Sequence, residues 1–547
     1  GFVFVVLGLF SVDPLTGQTA AADDPAARVI ILANAEDAES RELAHYYARG
    51  RHIPEANIVA LALPREETIA WPQFIERLWN PLQEKLVLAG WLSATPLSGR
   101  DEAGRRRYHF SGHRLTYLVL CRGVPLRIEH DAPLAGLLPP VVPPRPVPLQ
   151  TLQAAVDSEL ALLAQSTPPI AGWWPNPLFA VARPTAWQEQ QVVKVARLDG
   201  PTLADAKALV DHALQAECRG MIGRAYVDAG GPYPEGDQWM EAVARQLLAA
   251  GFETEVDHAP TVLAPTARFD APIWYFGWYA NDLTGPMAAR EFQFPPGAVA
   301  LHLHSFSAQT LRRADAGWCG PLVARGITAT VGNVFEPYLP YTHRPAWLVQ
   351  ALLGGARWGD AACGAAPVLG WQGVVLGDPL YRPGAVSLAQ QWAEHLQHPA
   401  RADAYLVARR ARQLVQAQAS EQALALLRNE FARNPSLPLA LTLAASLREA
   451  GARAEAVTIL QQAATLLATG PDTDPALWAQ VARDFLQLGE PAPAVALYRR
   501  ILAQPLEAPA RAHWQREALL SAVAAGDENA RREWAGDSVG ADKGVAN

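Results

Sequence analysis

A chain of 547 residues is too long for one core, and with half of its residues hydrophobic and 18% charged it reads as a globular protein of two to four domains. The formal net charge of -8 and the absence of a basic stripe exclude a nucleic-acid partner as the working expectation. Four cysteines show no CxxC and no zinc spacing; one disulfide is permitted if the chain is exported, with Cys319 and Cys363 the pair to test, beside free buried thiols.

The chain opens on an apolar run, Phe2 to Phe10, followed by the small residues Ala20 to Ala22 before Asp23. Residues 1–22 therefore read as a truncated signal peptide, with a mature start near Asp23 and a place outside the cytoplasm, in the periplasm or cell envelope. A nine-residue run does not span a bilayer, and no other stretch is long and apolar enough to do so, so no transmembrane span is expected in the mature chain.

From residue 28 to about 385 apolar strand-like runs alternate with helical spacing. "ARVIILAN" (Ala27 to Asn34), "LTYLVLCRGVPLRI" (Leu115 to Ile128), "VVKVARLDG" (Val192 to Gly200), "MIGRAYVDA", "IWYFGWY", "GAVALHLHS", "ITATVGNV" and "WQGVVLGDP" read as strands. Pro201 reads as the first position of a helix. The basic run Gly104 to Arg114 reads as a solvated loop, and the prolines of Pro133 to Gln150 exclude a regular element there. The alternation predicts an α/β fold, a mainly parallel sheet with helices on both faces, with an option to split near residue 185.

Beyond about residue 400 strand signals vanish. Ala423, Ala456 and Ala494 align at separations of 33 and 38; Gly451 and Gly489 stand five residues before the aligned Ala, and Leu427, Leu460 and Tyr498 four after. This pattern over 400–526 resembles tetratricopeptide repeats, paired helices that meet at a small residue, and implies a protein partner for this all-α part. Residues 527–547 read as a polar tail.

Sites in such sheets lie at the carboxyl ends of strands. That rule gathers Asp199, Asp228, Trp278, Asn281, Asp282, Ser305, Asn333, Glu336 and Asp378 on one rim, where aromatics and carboxylates would line a cleft for a peptide or a sugar. His302 and His304 alternate on a strand and offer an H-x-H pair for a divalent metal, completed by a carboxylate such as Asp282, Glu336 or Asp378; no cofactor beyond that is expected. Ser305, or Ser307, is the candidate nucleophile, with His302 or the distant His343 as base, since His304 points the other way on a regular strand. There is no G-x-S-x-G around it, and a turn or capping role is the alternative for these serines.

The segments "VIILANAEDAESRELAHYYARGRHIPEANIVAL", "YLVLCRGVPLRI", "AAVDSELALL", "ARLDGPT", "YFGWYAND", "LHSFSAQTL", "GNVFEPYL" and "WQGVVLGDPLYRP", from Val29 to Pro383, together resemble an uncharacterised family of exported bacterial proteins. That family occurs alongside exosortase, the sorting system for proteins with a PEP-CTERM tail, and it brings no established activity. "IWYFGWY" and "VALHLHSFS" also resemble the strands that carry the catalytic residues of gingipain-like and caspase-like cysteine peptidases. There the resemblance places Phe276-Gly277 or Gly277-Trp278 where those enzymes hold His-Gly, and Ser305 or Ser307 where they hold Cys. It thus implies a caspase-like fold with the catalytic dyad missing: a pseudoenzyme that binds a protein or glycan, or alternatively a divergent serine or metal-dependent hydrolase.

Overall fold

The computed structural model of the chain describes residues 24–138, 146, 149–398, 403–469 and 474–536. The segment read as a signal peptide lies outside the described residues, as does the chain beyond residue 536. Among the described residues no helix is long and apolar enough to cross a membrane.

A single ten-stranded sheet forms the first unit among the described residues. Its strands are β1 (Val29–Asn34), β2 (Ile58–Leu61), β3 (Tyr117–Cys121), β4 (Val195–Leu198), β5 (Arg224–Asp228), β6 (Thr254–Asp257), β7 (Pro272–Gly277), β8 (Val299–His302), β9 (Ala329–Asn333) and β10 (Gly373–Gly377). They lie in the order β6-β5-β7-β8-β9-β10-β4-β3-β1-β2. Neighbours from β6 to β9, and from β4 to β2, pair parallel. Strand β10 runs antiparallel to β9 and touches β4 through Arg197 and Leu376. The sheet is thus mixed, mainly parallel, and continuous across residue 185.

The period of two in β1 and β3 explains why these strands feed two cores. Val29, Ile31 and Ala33 of β1, with Val119 and Cys121 of β3, enter one hydrophobic core; Ile30, Leu32, Leu118 and Leu120 enter the other. Burial on both faces is why these runs are apolar without alternation. Helices α1 (Ala38–Gly50), α2 (Leu203–Arg219), α3 (Pro234–Ala249), α4 (Cys319–Ala324) and α5 (Pro345–Leu353) supply part of the cover. Helix α2 starts later than the Pro201 reading: Thr202 caps it in a box with Asp205, so Pro201 precedes the cap.

Each block of parallel strands starts one strand in from its edge, steps out to the edge, and returns past its start. The order reverses between β1 and β3 and between β5 and β7, the places where open α/β sheets leave a crevice. Here both crevices are filled by the chain itself. Asn34 donates to the carbonyls of Leu63 and Gly123. Trp278, at the end of β7, occupies the other.

Some readings of the sequence change. The basic run is not a loop: Arg106–His113 pairs as a strand with Leu92–Arg100, and Arg105 is buried against Asp101 and over the Trp79 ring. The proline-rich stretch opens with a helical turn, Ala132–Leu137, capped by Asp131; residues 139–145, 147 and 148 lie outside the described residues. The long strand read over Leu115 to Ile128 is two, Tyr117–Cys121 and Arg127–Ile128. All four cysteines are free, so Cys319 and Cys363 form no disulfide; they belong to different hydrophobic cores.

Helix α6 (Leu388–Gln397) leads to the helical unit: α7 (Ala404–Gln416), α8 (Ser420–Arg433), α9 (Leu437–Glu449), α10 (Arg453–Thr469), α11 (Pro475–Gln487), α12 (Pro491–Leu502), α13 (Ala508–Ala525) and α14 (Glu528–Gly536). Consecutive helices pack in pairs around a separate core. Ala423, Ala456 and Ala494 are buried at the pair contacts, with Leu427, Leu460 and Tyr498 one turn on. Ala530 and Trp534 repeat that spacing and are buried too, so the array includes a helix within the stretch set apart as a polar tail. Gly451 and Gly489 hold left-handed turns between paired helices, and Gln418 holds the matching turn of the first pair at φ 60°. The first helix of the array docks on the α/β unit: Tyr405 donates to Asp270 at 2.6 Å, and Gln416 to the Leu248 carbonyl at 2.8 Å.

Candidate functional site

The carboxyl ends of both parallel blocks share one rim. Asp199, after β4, meets Arg312 of the loop that follows β8 at 3.3 Å. Glu67, after β2, accepts from Thr310 and the Leu311 amide of the same loop. Asp378 does not belong to this rim. Because β10 runs antiparallel to β9, its end falls on the opposite side. There Asp378 accepts from Tyr47 and pairs with Arg51 at the end of α1.

Within the shared rim the residues divide by role. Asp199 is buried beside Arg197, whose guanidinium also holds Asp157 and two backbone carbonyls, a network that ties the Ser305 loop to the first block. Asp282 accepts from the Gly317 amide at 2.7 Å and joins the loop after β7 to the segment before α4, and Asn281 is exposed outside the cavity described below. Asn333 donates to the His304 carbonyl and its amide reaches the Ser307 hydroxyl, so Ser307 and Asn333 are buried braces. Asp228 is fully buried behind Gly277 and accepts from the Leu263 amide; burial pushes its carboxyl up to about 7.

Strand β8 stops at His302, so the alternation that would pair His302 with His304 ends between them. His302 is enclosed. Its Nε2 accepts the Ala280 amide and its Nδ1 faces the Tyr275 hydroxyl, both at 3.1 Å, while its ring lies flat on Trp318 at 3.4 Å. Burial holds the imidazole well below its ordinary range, and an Nε2 that accepts fixes the neutral tautomer with hydrogen on Nδ1. With both nitrogens engaged, His302 is neither half of a metal pair nor a base for Ser305. Among the described residues no group of three or more His, Cys, Asp and Glu side chains is arranged to hold a metal ion. His343 lines a separate small cavity near Trp371, where burial pushes it down to about 4.

Ser305 does sit at a cavity, of about 440 Å³, at the ends of β7, β8 and β9. Its hydroxyl donates to Glu336 at 2.7 Å, and the other oxygen of Glu336 accepts the Tyr338 amide at 2.9 Å. Phe306 and Tyr338, in the two loops that carry this pair, have φ of 59° and 61°. Left-handed backbone is costly for aromatic residues and concentrates at functional sites. Tyr233, Trp278, Tyr279 and His304 complete one wall. Trp278 is held there by Asp237, which accepts its Nε1 proton at 2.9 Å, and by two glycines that leave it room: a Cβ on Gly236 or Gly231 would fall 1.9 or 2.1 Å from the indole.

The rim rule found Trp278, Ser305 and Glu336 but missed Tyr233 and Tyr279. An N-terminal "PYP" before a helix and a Tyr beside a Trp carry no spacing signal of their own; only the adjacency of β5, β7 and β8 brings them together.

No family model matches the chain, and no curated protein matches it. Two solved structures do, both of a Podosopora anserina kinesin light chain built from nearly identical TPR-like repeats, one of them a single-substitution variant. Each is 22% identical; they cover 27% and 29% of this chain, and 81% and 86% of their own, with TM-scores of 0.22 and 0.23. At those scores the likeness adds little to the geometry, and the TPR-like character of the C-terminal helices rests on their own pairing and spacing.

Proposed function

We propose that this is a cell-envelope binding protein: a caspase-like or gingipain-like hydrolase fold without the thiol–imidazole dyad, which holds a protein or glycan ligand at the Ser305 cavity. In this reading the helical repeats recruit a protein partner, and residues 1–22 direct export. The observation that carries it is the partner of Ser305. Its hydroxyl is held by a carboxylate, with the nearby His302 already committed on both nitrogens. A thiolate–imidazole pair is not replaced by such a set without a new base.

A second reading rests on the same contact: a serine hydrolase in which Glu336 takes the proton from Ser305. A fluorophosphonate probe separates the two. The binding reading expects no labelling of the intact chain. Labelling that disappears in Ser305→Ala overturns it in favour of the hydrolase. Export is checked by sequencing the amino terminus of the protein recovered from the envelope fraction, which is expected to begin near Asp23.

A further inference from the structure

We infer that the Ser305 cavity is a cage for an alkylated ammonium ion, a small quaternary amine of the choline type. The inference rests on the binding reading of this site and names its ligand class.

Three rings form a corner. Tyr233, Trp278 and Tyr279 stand 6.2 to 6.5 Å apart, centroid to centroid, and Tyr279 is at 87° to Tyr233 and at 90° to Trp278. Rings set at right angles at this separation can turn their negative faces to one point, the arrangement that recognises quaternary ammonium groups. The two tyrosines are unusually open for a chain that buries most of its aromatics, Tyr233 at 54% and Tyr279 at 44%, as is Tyr338 across the cavity at 37%, while Trp278 is buried and backs the corner. Aromatic side chains left in water around one concavity mark a binding site.

The charge of the lining has one sign. Glu235 and Glu336 contribute carboxylates, and no Lys or Arg stands among the lining residues. Arg344 stands behind the wall, stacked over Trp239 at 4.0 Å, donating to the carbonyls of Leu339, Pro340 and Thr342 and facing the charge of Glu235, which leaves Glu336 as the lining carboxylate it does not bond. An aromatic, anionic concavity attracts a cation.

The alkylated form follows from the hydrogen bonds. A primary ammonium needs three acceptors. A quaternary ammonium donates no hydrogen bond and asks nothing more of Glu336, whose two oxygens already accept from Ser305 and from the Tyr338 amide. Beside Glu235, His304 and Thr342 the wall is mostly ring, leucine and proline, including Pro234, Pro337 and Pro340, which suits methyl groups. The carboxylates also oppose a phosphate attached next to the cation, so the free amine is favoured over a phosphocholine headgroup.

The test is calorimetric titration of the full chain with choline chloride, tetramethylammonium chloride, phosphocholine, and 3,3-dimethylbutanol, the uncharged isostere of choline. Choline and tetramethylammonium are expected to bind, the isostere at least tenfold more weakly, and phosphocholine more weakly than choline. Tyr233→Ala, at an exposed ring outside the core, and Glu336→Gln are each expected to weaken choline at least fivefold, while Tyr279→Phe keeps the ring and the affinity. Equal binding of the isostere, tighter binding of phosphocholine, or no binding of either cation overturns the cage. If the cations fail and the fluorophosphonate probe stays unreactive, only the cage falls; if the probe labels Ser305, the binding reading falls with it.

Discussion

The hydroxyl of Ser305 donates to the carboxylate of Glu336 at 2.7 Å, joining the loop after β8 to the turn after β9. The bond ties together two turns that each carry a left-handed aromatic residue, Phe306 in one and Tyr338 in the other. Ser305→Ala removes a donor to a charged acceptor and is expected to lower stability by about 1–2 kcal/mol in urea unfolding. Glu336→Gln keeps its oxygen as acceptor for the Tyr338 amide, while its NH2 donates to a Ser305 hydroxyl that turns to accept, and it is expected to cost less.

Asp228 predicts a pH dependence. The folded chain keeps its proton up to about 7, whereas the unfolded chain releases it near 3.8. Stability from this group is therefore fully present below the lower value and is lost as pH rises through the higher one. Asp228→Asn removes that loss. Its advantage over the unaltered chain should grow from nothing at acid pH to on the order of 2–4 kcal/mol above neutrality, read from denaturant melts across the range. His343 works in the opposite direction: held down to about 4 by burial, it costs stability as pH falls from 6.5. The Asn variant leaves that slope in place, so the difference between the two profiles isolates Asp228.

Trp278 and Gly236 form a fitted pair. A Cβ on Gly236 would lie 1.9 Å from the indole, so Gly236→Ala displaces Trp278 at a cost of about 1–3 kcal/mol. Adding Trp278→Leu makes room. The double variant should be less destabilised than the sum of the single ones, a coupling measured directly by a double-mutant cycle.

The thiols give a simple count. Cys218 is exposed, and Cys121, Cys319 and Cys363 are buried, with Cys319 and Cys363 both pushed up to about 12 by burial. Ellman's reagent should titrate Cys218 alone in the folded chain and every cysteine after denaturation. A reductant should leave the melting temperature unchanged.

Gln418 holds a left-handed turn that Gly451 and Gly489 hold elsewhere in the array. Gln418→Gly is expected to raise stability by up to about 1 kcal/mol, and Gly451→Ala or Gly489→Ala to lower it by about 1 kcal/mol. Thermal melts of the full chain check both directions.

These sites also show what a sequence reading reaches. Buried strands such as β1 and β3 announce themselves, because burial on both faces demands an unbroken apolar run. The repeat array announces itself through Ala423, Ala456 and Ala494, since a close helix contact tolerates few residues. The hairpin of Leu92–Arg100 and Arg106–His113 is different: mostly exposed and polar, it looks like loop until its backbone pairing is known. The direction of β10 is hidden as well, because a short buried strand reads the same whichever way it runs; that alone misplaced Asp378. The end of β8 at His302 undid the H-x-H pair for a related reason, since alternation counts only while the strand continues. The Ser305–Glu336 contact, 31 residues apart in the chain, depended on β8 and β9 being neighbours, which no local pattern encodes.

Strand β10 is the last of the sheet to be synthesised and stands at its middle, between β9 and β4. A chain emerging from the ribosome therefore holds two unfinished half-sheets, each with a bare inner edge, until residue 377 is free to close the gap. Those edges are ready templates for pairing with other chains. Truncation before Gly373 should consequently yield aggregate rather than a smaller folded protein, and any chaperone that serves this chain has that one seam to guard.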